Sequence, residues 1–365
     1  MNIAHKLSSA TAVLLFAGAV APAVALGAPS VPPGFTVTAF AAAPSTTPPT
    51  TGADDITSLN GDVFIGWQNG VGPKGEPNSK SGQTSSRLVE YSRSGKLIAS
   101  WELAGKIDGV GGDPSGHRVI ASVNEDGNSS IDTITPSAPS GKQVRHYTYS
   151  PAPDSGSTGG LLTGGGTDAV TVFRGHIYVT ASAPATVAST AVFRVELNPG
   201  TGIATLTRTF EDSSMARDAV NGERVRLNLT DPDSSAVVPS PSSRHGGEFV
   251  LVSQGDQQLI FARRLTPSSN DFTRLLLRRG NDRAGVDDVR WSEGKRGRLI
   301  VVDNKTGTVY SVAGDFKPGT PFGSLDSVGS TANTTEVDTI NLKTGQLTPF
   351  VTGLSTAKGL LWLAG

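Results

Sequence analysis

The 365-residue sequence contains no cysteine. Disulfides, thiolate metal sites and a cysteine nucleophile are therefore excluded, and stability must come from burial and from closure of the fold. Charged residues make up only 17% of the chain, and 31 Lys and Arg nearly balance 32 Asp and Glu. No long basic run occurs, so we expect no nucleic-acid partner, because phosphate backbones require a positive face.

Long apolar runs are missing everywhere except at the N-terminus. Residues 10–21 form an apolar stretch that follows Lys6 and precedes small residues at 23–25, which is the pattern of a secretory signal. Pro22 interrupts the stretch, which favours cleavage over a retained anchor. We predict a signal peptide over residues 1–28 and an exported protein, secreted, periplasmic or at the cell surface. Residues 29–365 should then be a soluble monomer with no membrane partner.

Aromatic residues are also scarce, at 6%, whereas the chain has 44 Gly and 23 Pro. This composition favours short strands joined by many turns over long helices.

A short pattern in which aspartate precedes the start of a strand occurs four times. The segments are Asp54-Asp55-Ile56, Asp108-Gly109-Val110, Asp168-Ala169-Val170 and Asp287-Asp288-Val289. A glycine turn and a second, β-branched strand follow each of them, which is typical of a hairpin. The second strands are Val63–Trp67, Val119–Val123, Ile177–Thr180 and Leu299–Val302.

Third and fourth strands complete each repeat, so the repeating unit is a four-stranded meander of about 60 residues. A less regular unit begins at Asp233, and the first strand of a sixth unit begins at Lys358. We predict an all-β fold, a single β-propeller domain over 29–365 with six blades. Residues 335–351 could form the outer hairpin of the fifth blade, the closing blade or a seventh blade, and the sequence leaves these three assignments open. Pairing of the strand at residues 35–40 with the C-terminal strand would close the ring and remove free edges.

These segments resemble the superfamily of six-bladed propellers that includes the NHL-repeat, gluconolactonase and streptogramin-lyase families. The segments at 63–70 and 123–130 also resemble an uncharacterised family of exported bacterial proteins. The resemblance implies the fold but no single activity, because propellers carry many functions. The glutamate ligand of gluconolactonases is missing from the marked strand starts, and His117, His176 and His245 fall in turns, where we expect exposed side chains. Neither enzyme's site carries over residue by residue.

The recurring aspartates form the candidate site. First strands of a propeller start at one mouth of its channel, so Asp54, Asp108, Asp168 and Asp287, with Asp233 as a further member, should converge there. A ring of carboxylates favours Ca²⁺ or another divalent cation, so these residues are candidate metal ligands. The alternative is that each aspartate accepts backbone N–H bonds at its own turn. Lys358 occupies the sixth position, where its charge would weaken a cation site.

Other catalytic motifs are missing from the sequence, including the nucleophile elbow, the zinc-protease helix and the Walker loop. The four tryptophans lie in or beside predicted strands, which favours packing over a sugar-stacking platform. The sequence therefore predicts an exported binding or scaffold module for a small molecule, glycan or protein at the channel mouth. The alternative is a metal-dependent hydrolase or lyase of the gluconolactonase or streptogramin-lyase type, and the sequence does not decide whether the protein is an enzyme.

Overall fold

A computed structural model describes residues 28–153, 165–184, 189–266 and 271–365, and the secondary structure in these ranges is β-strand without α-helix. The predicted signal peptide lies outside the described residues except for its last residue. In the first half of the chain the strands are β1 (Phe35–Ala42), β2 (Ala53–Leu59), β3 (Asp62–Trp67), β4 (Ser85–Tyr91), β5 (Leu97–Ala104), β6 (Ile107–Asp113), β7 (Arg118–Val123), β8 (Ser130–Ile134), β9 (Val144–Tyr149), β10 (Thr167–Phe173), β11 (His176–Ala181), β12 (Thr190–Asn198) and β13 (Ile203–Glu211).

The second half of the chain is also built of short strands. They are β14 (Met215–Asp218), β15 (Arg224–Arg226), β16 (Pro232–Val237), β17 (Phe249–Ser253), β18 (Gln258–Ala262), β19 (Phe272–Leu276), β20 (Arg278–Arg279), β21 (Asp282–Trp291), β22 (Gly297–Asp303), β23 (Thr308–Gly314), β24 (Pro321–Val328), β25 (Thr331–Ala332), β26 (Glu336–Ile340), β27 (Leu347–Thr352) and β28 (Ala357–Ala364).

The first units are antiparallel meanders, as predicted. Strands β2 to β5, β6 to β9, β10 to β13 and β16 to β19 each pair in chain order. A short parallel pairing of β13 with β9 joins the second and third units into one eight-stranded sheet. The strands β14 and β15 extend the fourth unit, because β14 pairs with β19.

The last two sheets exchange strands, which the sequence pattern did not reveal. The strand after Asp287 was predicted to pair with Leu299–Val302, and this is wrong: β21 pairs with β24, whereas β22 pairs with β23 and β28. The linker after β21 crosses to the neighbouring sheet and pairs with the returning chain, through Ser292 N to Thr320 O (3.0 Å) and Phe316 N to Lys295 O (2.9 Å). Residues 335–351 supply β26 and β27, the outer hairpin of the sheet that contains β21.

Both ends of the described chain lie in one sheet, which has the order β1, β23, β22, β28. The first strands β2, β6, β10, β16, β21 and β28 contact one another in sequence, and β28 contacts β2. The arrangement is that of a β-propeller. Hydrogen bonds divide the described residues into five sheets, whereas six blades were predicted with a seventh left open, because the second and third units share one sheet.

The apolar core lies between neighbouring sheets. One cluster joins Ile56 and Ile65 of the first unit to Ile300 and Leu361 of the sheet that contains both chain ends. Other clusters fill the remaining spaces between sheets in the same way, since each strand exposes one side chain in two to each face. All four tryptophans are buried, which agrees with the packing role predicted for them.

No helix long and apolar enough to cross a membrane occurs among the described residues.

Deleting β1 tests how much the terminal sheet contributes to stability. The strand pairs along β23, and the Phe35 ring packs edge-on against Phe316 and Phe350, with ring centroids 4.9 and 5.0 Å apart. We expect a chain that begins at residue 43 to aggregate, or to melt about 10 °C or more below a chain that begins at residue 29, because it loses apolar contacts and exposes β23 as an edge. Differential scanning calorimetry makes the measurement.

The matched control is Thr38→Ala, which alters an exposed side chain on the same strand. This variant should melt within about 2 °C of the parent. Equal melting of the truncated chain and the parent would mean that β1 contributes nothing to stability.

Candidate functional site at the channel mouth

One cavity of about 730 Å³ opens where the first strands begin. Its lining includes one charged residue from each inner strand. These residues are Asp54, Asp108, Asp168, Asp233, Asp287 and Lys358. Five of the six are the second residue of their strand, and Asp287 lies further along β21. The repeated pattern in the sequence therefore corresponds to one place in the fold.

Two lysines lie among these carboxylates. The Nζ atom of Lys106 is 2.7 Å from Oδ1 of Asp108 and also contacts the carboxylate of Glu125. The Nζ atom of Lys358 contacts the carboxylate of Asp287. The neighbouring carboxylates raise the pKa of both lysines, and this effect is larger than the lowering caused by burial. Both lysines therefore carry a charge at neutral pH.

Side-chain amides satisfy two of the carboxylates. Gln68 donates its Nε2 hydrogen to Oδ2 of Asp54 at 2.9 Å, and Gln254 donates to Oδ1 of Asp287 at 3.2 Å. The backbone N–H of Glu125 donates to Oδ2 of Asp108 at 3.0 Å. These partners come from the ends of the second strands and not from the turn in which each aspartate lies.

The neighbouring aspartates Asp55 and Asp288 play a structural part. Asp55 accepts the N–H of Ile56 (2.7 Å) and that of Val110 on the next inner strand (2.6 Å). Asp288 accepts the N–H of Leu360 on β28 (2.7 Å). The alternative prediction, that aspartates accept backbone N–H groups, therefore applies to Asp55 and Asp288. Both residues also connect adjacent inner strands.

Among the six charged residues on the inner strands, Asp168 and Asp233 differ from the other four. Within the described ranges neither carboxylate accepts a hydrogen bond or forms an ion pair, although Asp168 is only 6% exposed. Burial raises the pKa of both carboxyls well above the usual range, and repulsion between them adds to the pKa of Asp168. The charge of Asp287 raises the pKa of Asp233 further.

Burial also raises the pKa of two other carboxyls in the mouth. The pKa of Asp54 rises to about 6, with the nearby charge of Lys358 opposing the increase. The pKa of Asp231 rises to about 6, and the carboxylates of Glu125 and Asp256 contribute to it.

The residues do not form a metal-ligand set in the geometry described. Among the described residues no group of three or more His, Asp or Glu side chains lies close enough together to hold one metal ion. Lysine ammonium groups contact two of the four predicted ligands, Asp108 and Asp287, and also the neighbouring Glu125. The metal role of Asp54, Asp108, Asp168 and Asp287 remains a prediction, which calcium titration can test.

Sequence reasoning missed Lys106, Glu125, Gln68 and Gln254. In an antiparallel hairpin the end of the second strand lies beside the start of the first, so residues just after β3, β7 and β17 share the mouth. That position was available from the strand pattern. Lys106 precedes β6 by one residue and lies beside Glu125 across the β6–β7 hairpin, in which Ile107 pairs with Val123.

Two further expectations have different outcomes. His117 and His176 are exposed, but the ring of His245 is largely buried and stacks on Phe261 with centroids 3.9 Å apart, so the expectation of an exposed side chain is wrong for His245. Its position in an expanded turn places it over the strand β18. None of the four tryptophans lines the mouth.

The channel has a second opening at the far ends of the inner strands. A cavity of about 400 Å³ there shares Asp55, Ala169, Ser234 and Asp288 with the mouth. These four residues form the wall between the two spaces.

No protein-family model and no curated protein sequence matches the chain. The periplasmic gluconolactonase of Pseudomonas aeruginosa is similar at 12% identity over 85% of this chain and 88% of its own, with a TM-score of 0.46. A Bacteroides caccae protein of unknown function is similar at 11% identity over 85% and 86%, with a TM-score of 0.42. The β-propeller domain of Cps50 from Myceliophteria thermophila is similar at 8% identity over 86% and 99%, with a TM-score of 0.40.

The similar solved structures thus include a gluconolactonase and a β-propeller domain. At these identities the likeness concerns the fold alone and carries no activity.

The raised pKa values predict how stability changes with pH. A carboxyl whose pKa is higher in the folded than in the unfolded state binds more protons when folded, so its contribution is full below about pH 4 and is lost as pH rises through about 6. We expect Asp54→Asn to reduce this loss by about 1 kcal/mol. Urea unfolding from pH 4 to pH 8 measures it.

Asp315→Asn is the control, because Asp315 is exposed and lies outside the mouth. Its stability should follow the parent at every pH. Parallel curves for the parent and Asp54→Asn would contradict the raised pKa of Asp54.

The buried ion pairs predict a second effect on stability. Lys106 is 16% exposed, and Lys106→Met leaves Asp108 and Glu125 without their cation. We expect a loss of about 3 kcal/mol at pH 7, partly restored by adding Asp108→Asn, since unpaired buried charge is the cause. Chemical denaturation of the single and double variants measures both values.

Lys295→Met is the matched control, since Lys295 pairs with Asp315 at 3.1 Å with both side chains about two-thirds exposed. It should change stability little. If both lysine variants lose the same amount, the pairs at the mouth have no special weight.

Proposed function

We propose that this chain is an exported β-propeller that binds a polar small molecule at the channel mouth. The single observation that carries the proposal is the mouth itself, a cavity of about 730 Å³ into which charged residues of the inner strands converge. Small-molecule sites usually have volumes of about 300–1,000 Å³ and hold their ligands with a few convergent polar groups. The strongly polar lining favours a polar ligand.

A small molecule fits these observations better than the glycan or protein partners also considered from the sequence. Glycan sites commonly use aromatic platforms, whereas Trp67, Trp101, Trp291 and Trp362 are buried in the core. The mouth is concave and lies within the channel, which suits a compact ligand.

The proposal includes the architecture and location that the sequence predicted. Six four-stranded units would act as blades of one closed ring over residues 29–365, with β1, β22, β23 and β28 as the closing blade. Contact between β28 and β2 supports closure. The leader at 1–28 would direct a monomer out of the cytoplasm.

A hydrolase or lyase of the gluconolactonase or streptogramin-lyase type is the second candidate. One observation favours it: the carboxyls of Asp108, Asp168 and Asp233 have raised pKa values in a cleft, as a general acid requires. Such an enzyme would need a divalent cation if it followed its relatives, and the described residues do not fit one.

A binding screen with a blocked mouth tests the proposal. A set of polar metabolite-sized compounds is screened by thermal shift against the parent and Ala183→Trp, which places an indole at the lining of the mouth. We expect at least one compound to raise the parent's melting temperature and to lose this effect in Ala183→Trp. Ala332→Trp, on the exposed strand β25, is the matched control and should respond like the parent.

Two further arms separate the alternatives. Hydrolysis of glucono-1,5-lactone by the parent, lost in Asp168→Asn and dependent on added Ca²⁺, would favour the enzyme. A rise in melting temperature at millimolar Ca²⁺ would favour the predicted metal site, but the lysine pairs lead us to expect none. Binding that survives Ala183→Trp would place the ligand elsewhere and contradict the proposal.

A further inference from the structure

Negative charge in the channel mouth is not compensated evenly. Of the residues that the structure describes, ten with carboxyl groups and two lysines line the cavity. Asp55 and Asp288 are satisfied by backbone N–H groups, and the lysines contact Asp108, Glu125 and Asp287. The carboxylates that contact a lysine belong to the second and fifth units in chain order, and Lys358 itself belongs to the sixth. The third and fourth units contribute carboxylates without a contacting cation among the described residues.

Among the described residues, the lining carboxylates without a hydrogen-bond or ion-pair partner are Asp126, Asp168, Asp231 and Asp233. Of these, only Asp168 and Asp233 lie on inner strands. They begin the neighbouring inner strands β10 and β16, and both line the cavity. Asp168 is only 6% exposed as a residue, and its carboxylate has no hydrogen-bond or ion-pair partner in the part of the chain that the structure describes. A buried, unpartnered carboxylate is costly, so a fold that contains one at the wall of a cavity is suited to a ligand that supplies the partner.

The rest of the mouth shows which kind of partner these carboxylates accept. At two other positions in the same mouth a primary ammonium group, that of Lys106 or Lys358, contacts the equivalent aspartate. An ammonium group has three N–H donors and can contact carboxylates from two strands. A bare metal ion needs several oxygen ligands within one short radius, and the described side chains do not form such a group.

We propose that Asp168 and Asp233 bind the protonated amine of a small organic cation. The inference rests on the proposed function and names the ligand class of the same site. Thr230, Gln254 and Asp231 also line the cavity and can bind polar groups on the remainder of the ligand.

The proposal implies that binding depends on pH. The charged groups that face Asp168 and Asp233 are Asp108, Glu125 and Lys106 from the second unit, Asp231 from the fourth, Asp287 and Lys358 from the last two, and Asp54 from the first. Burial, with the neighbouring carboxylates adding to it, raises the pKa of both carboxyls, so they retain protons above their usual range. A primary amine with a pKa near 10 stays charged there. Affinity should therefore rise with pH as the carboxyls ionise.

Isothermal titration calorimetry of the mature chain with 1,4-diaminobutane tests the inference. We expect the diamine to bind at pH 8, and to bind at least about tenfold more weakly at pH 5, at constant ionic strength. Asp168→Asn and Asp233→Asn should each weaken binding at least about tenfold, because asparagine has nearly the shape of aspartate but lacks its charge. The two variants lie on different strands, and relief of repulsion should leave both folded, which circular dichroism checks.

Two controls make the result specific. Asp315→Asn removes an exposed carboxylate outside the mouth and should bind the diamine like the parent. Butane-1,4-diol has the same carbon chain without charge and should not bind measurably.

Three outcomes would overturn the inference: no binding of the diamine at pH 8, equal binding by the diol, or unchanged binding in both aspartate variants. A neutral compound that binds the parent and is blocked by Ala183→Trp would leave the proposed function standing while the cation inference fails. If nothing binds at the mouth, both fail.

Discussion

Close approach of the inner strands around the channel is the constraint on which the other features depend. A Cβ atom at Gly109 would lie 2.6 Å from the carbonyl oxygen of Asp168, and one at Gly359 would lie 2.6 Å from that of Asp54. Neighbouring backbones therefore meet with no room for a side chain between them. Strands packed this tightly and beginning at the same end must direct their first side chains into one small space.

This crowding gives the two aspartates of a strand start different tasks. Asp55 and Asp288 lie where they can accept N–H groups from the next inner strand, so they stabilise the ring of strands. The preceding residues, Asp54 and Asp287, point into the mouth, where side chains from the second strands reach them. One short motif thus serves packing and lines a cavity, which explains why its acidic residues recur.

Repeating the motif around the channel concentrates charge, and the structure compensates only part of it. Lysines neutralise the mouth on one side, and the pKa of Asp168 and Asp233 remains raised on the other because of burial. A binding protein could use this excess to attract a cation, and an enzyme could use a retained proton. Both uses follow from one physical cause, and the nature of the ligand separates them.

The sequence by itself determined the all-β class, the four-stranded repeat and the convergence of the aspartates, because strand alternation and turn chemistry are local. Only the tertiary structure decided that β22 leaves the unit of Asp287 for the sheet of β28, since an apolar strand such as Leu299–Val302 fits many partners. It also decided which carboxylates are paired. Lys358 contacts Asp287, 71 residues earlier in the chain, whereas Asp168 has no partner among the described residues. These outcomes depend on distances between elements far apart in the chain, which no local pattern encodes.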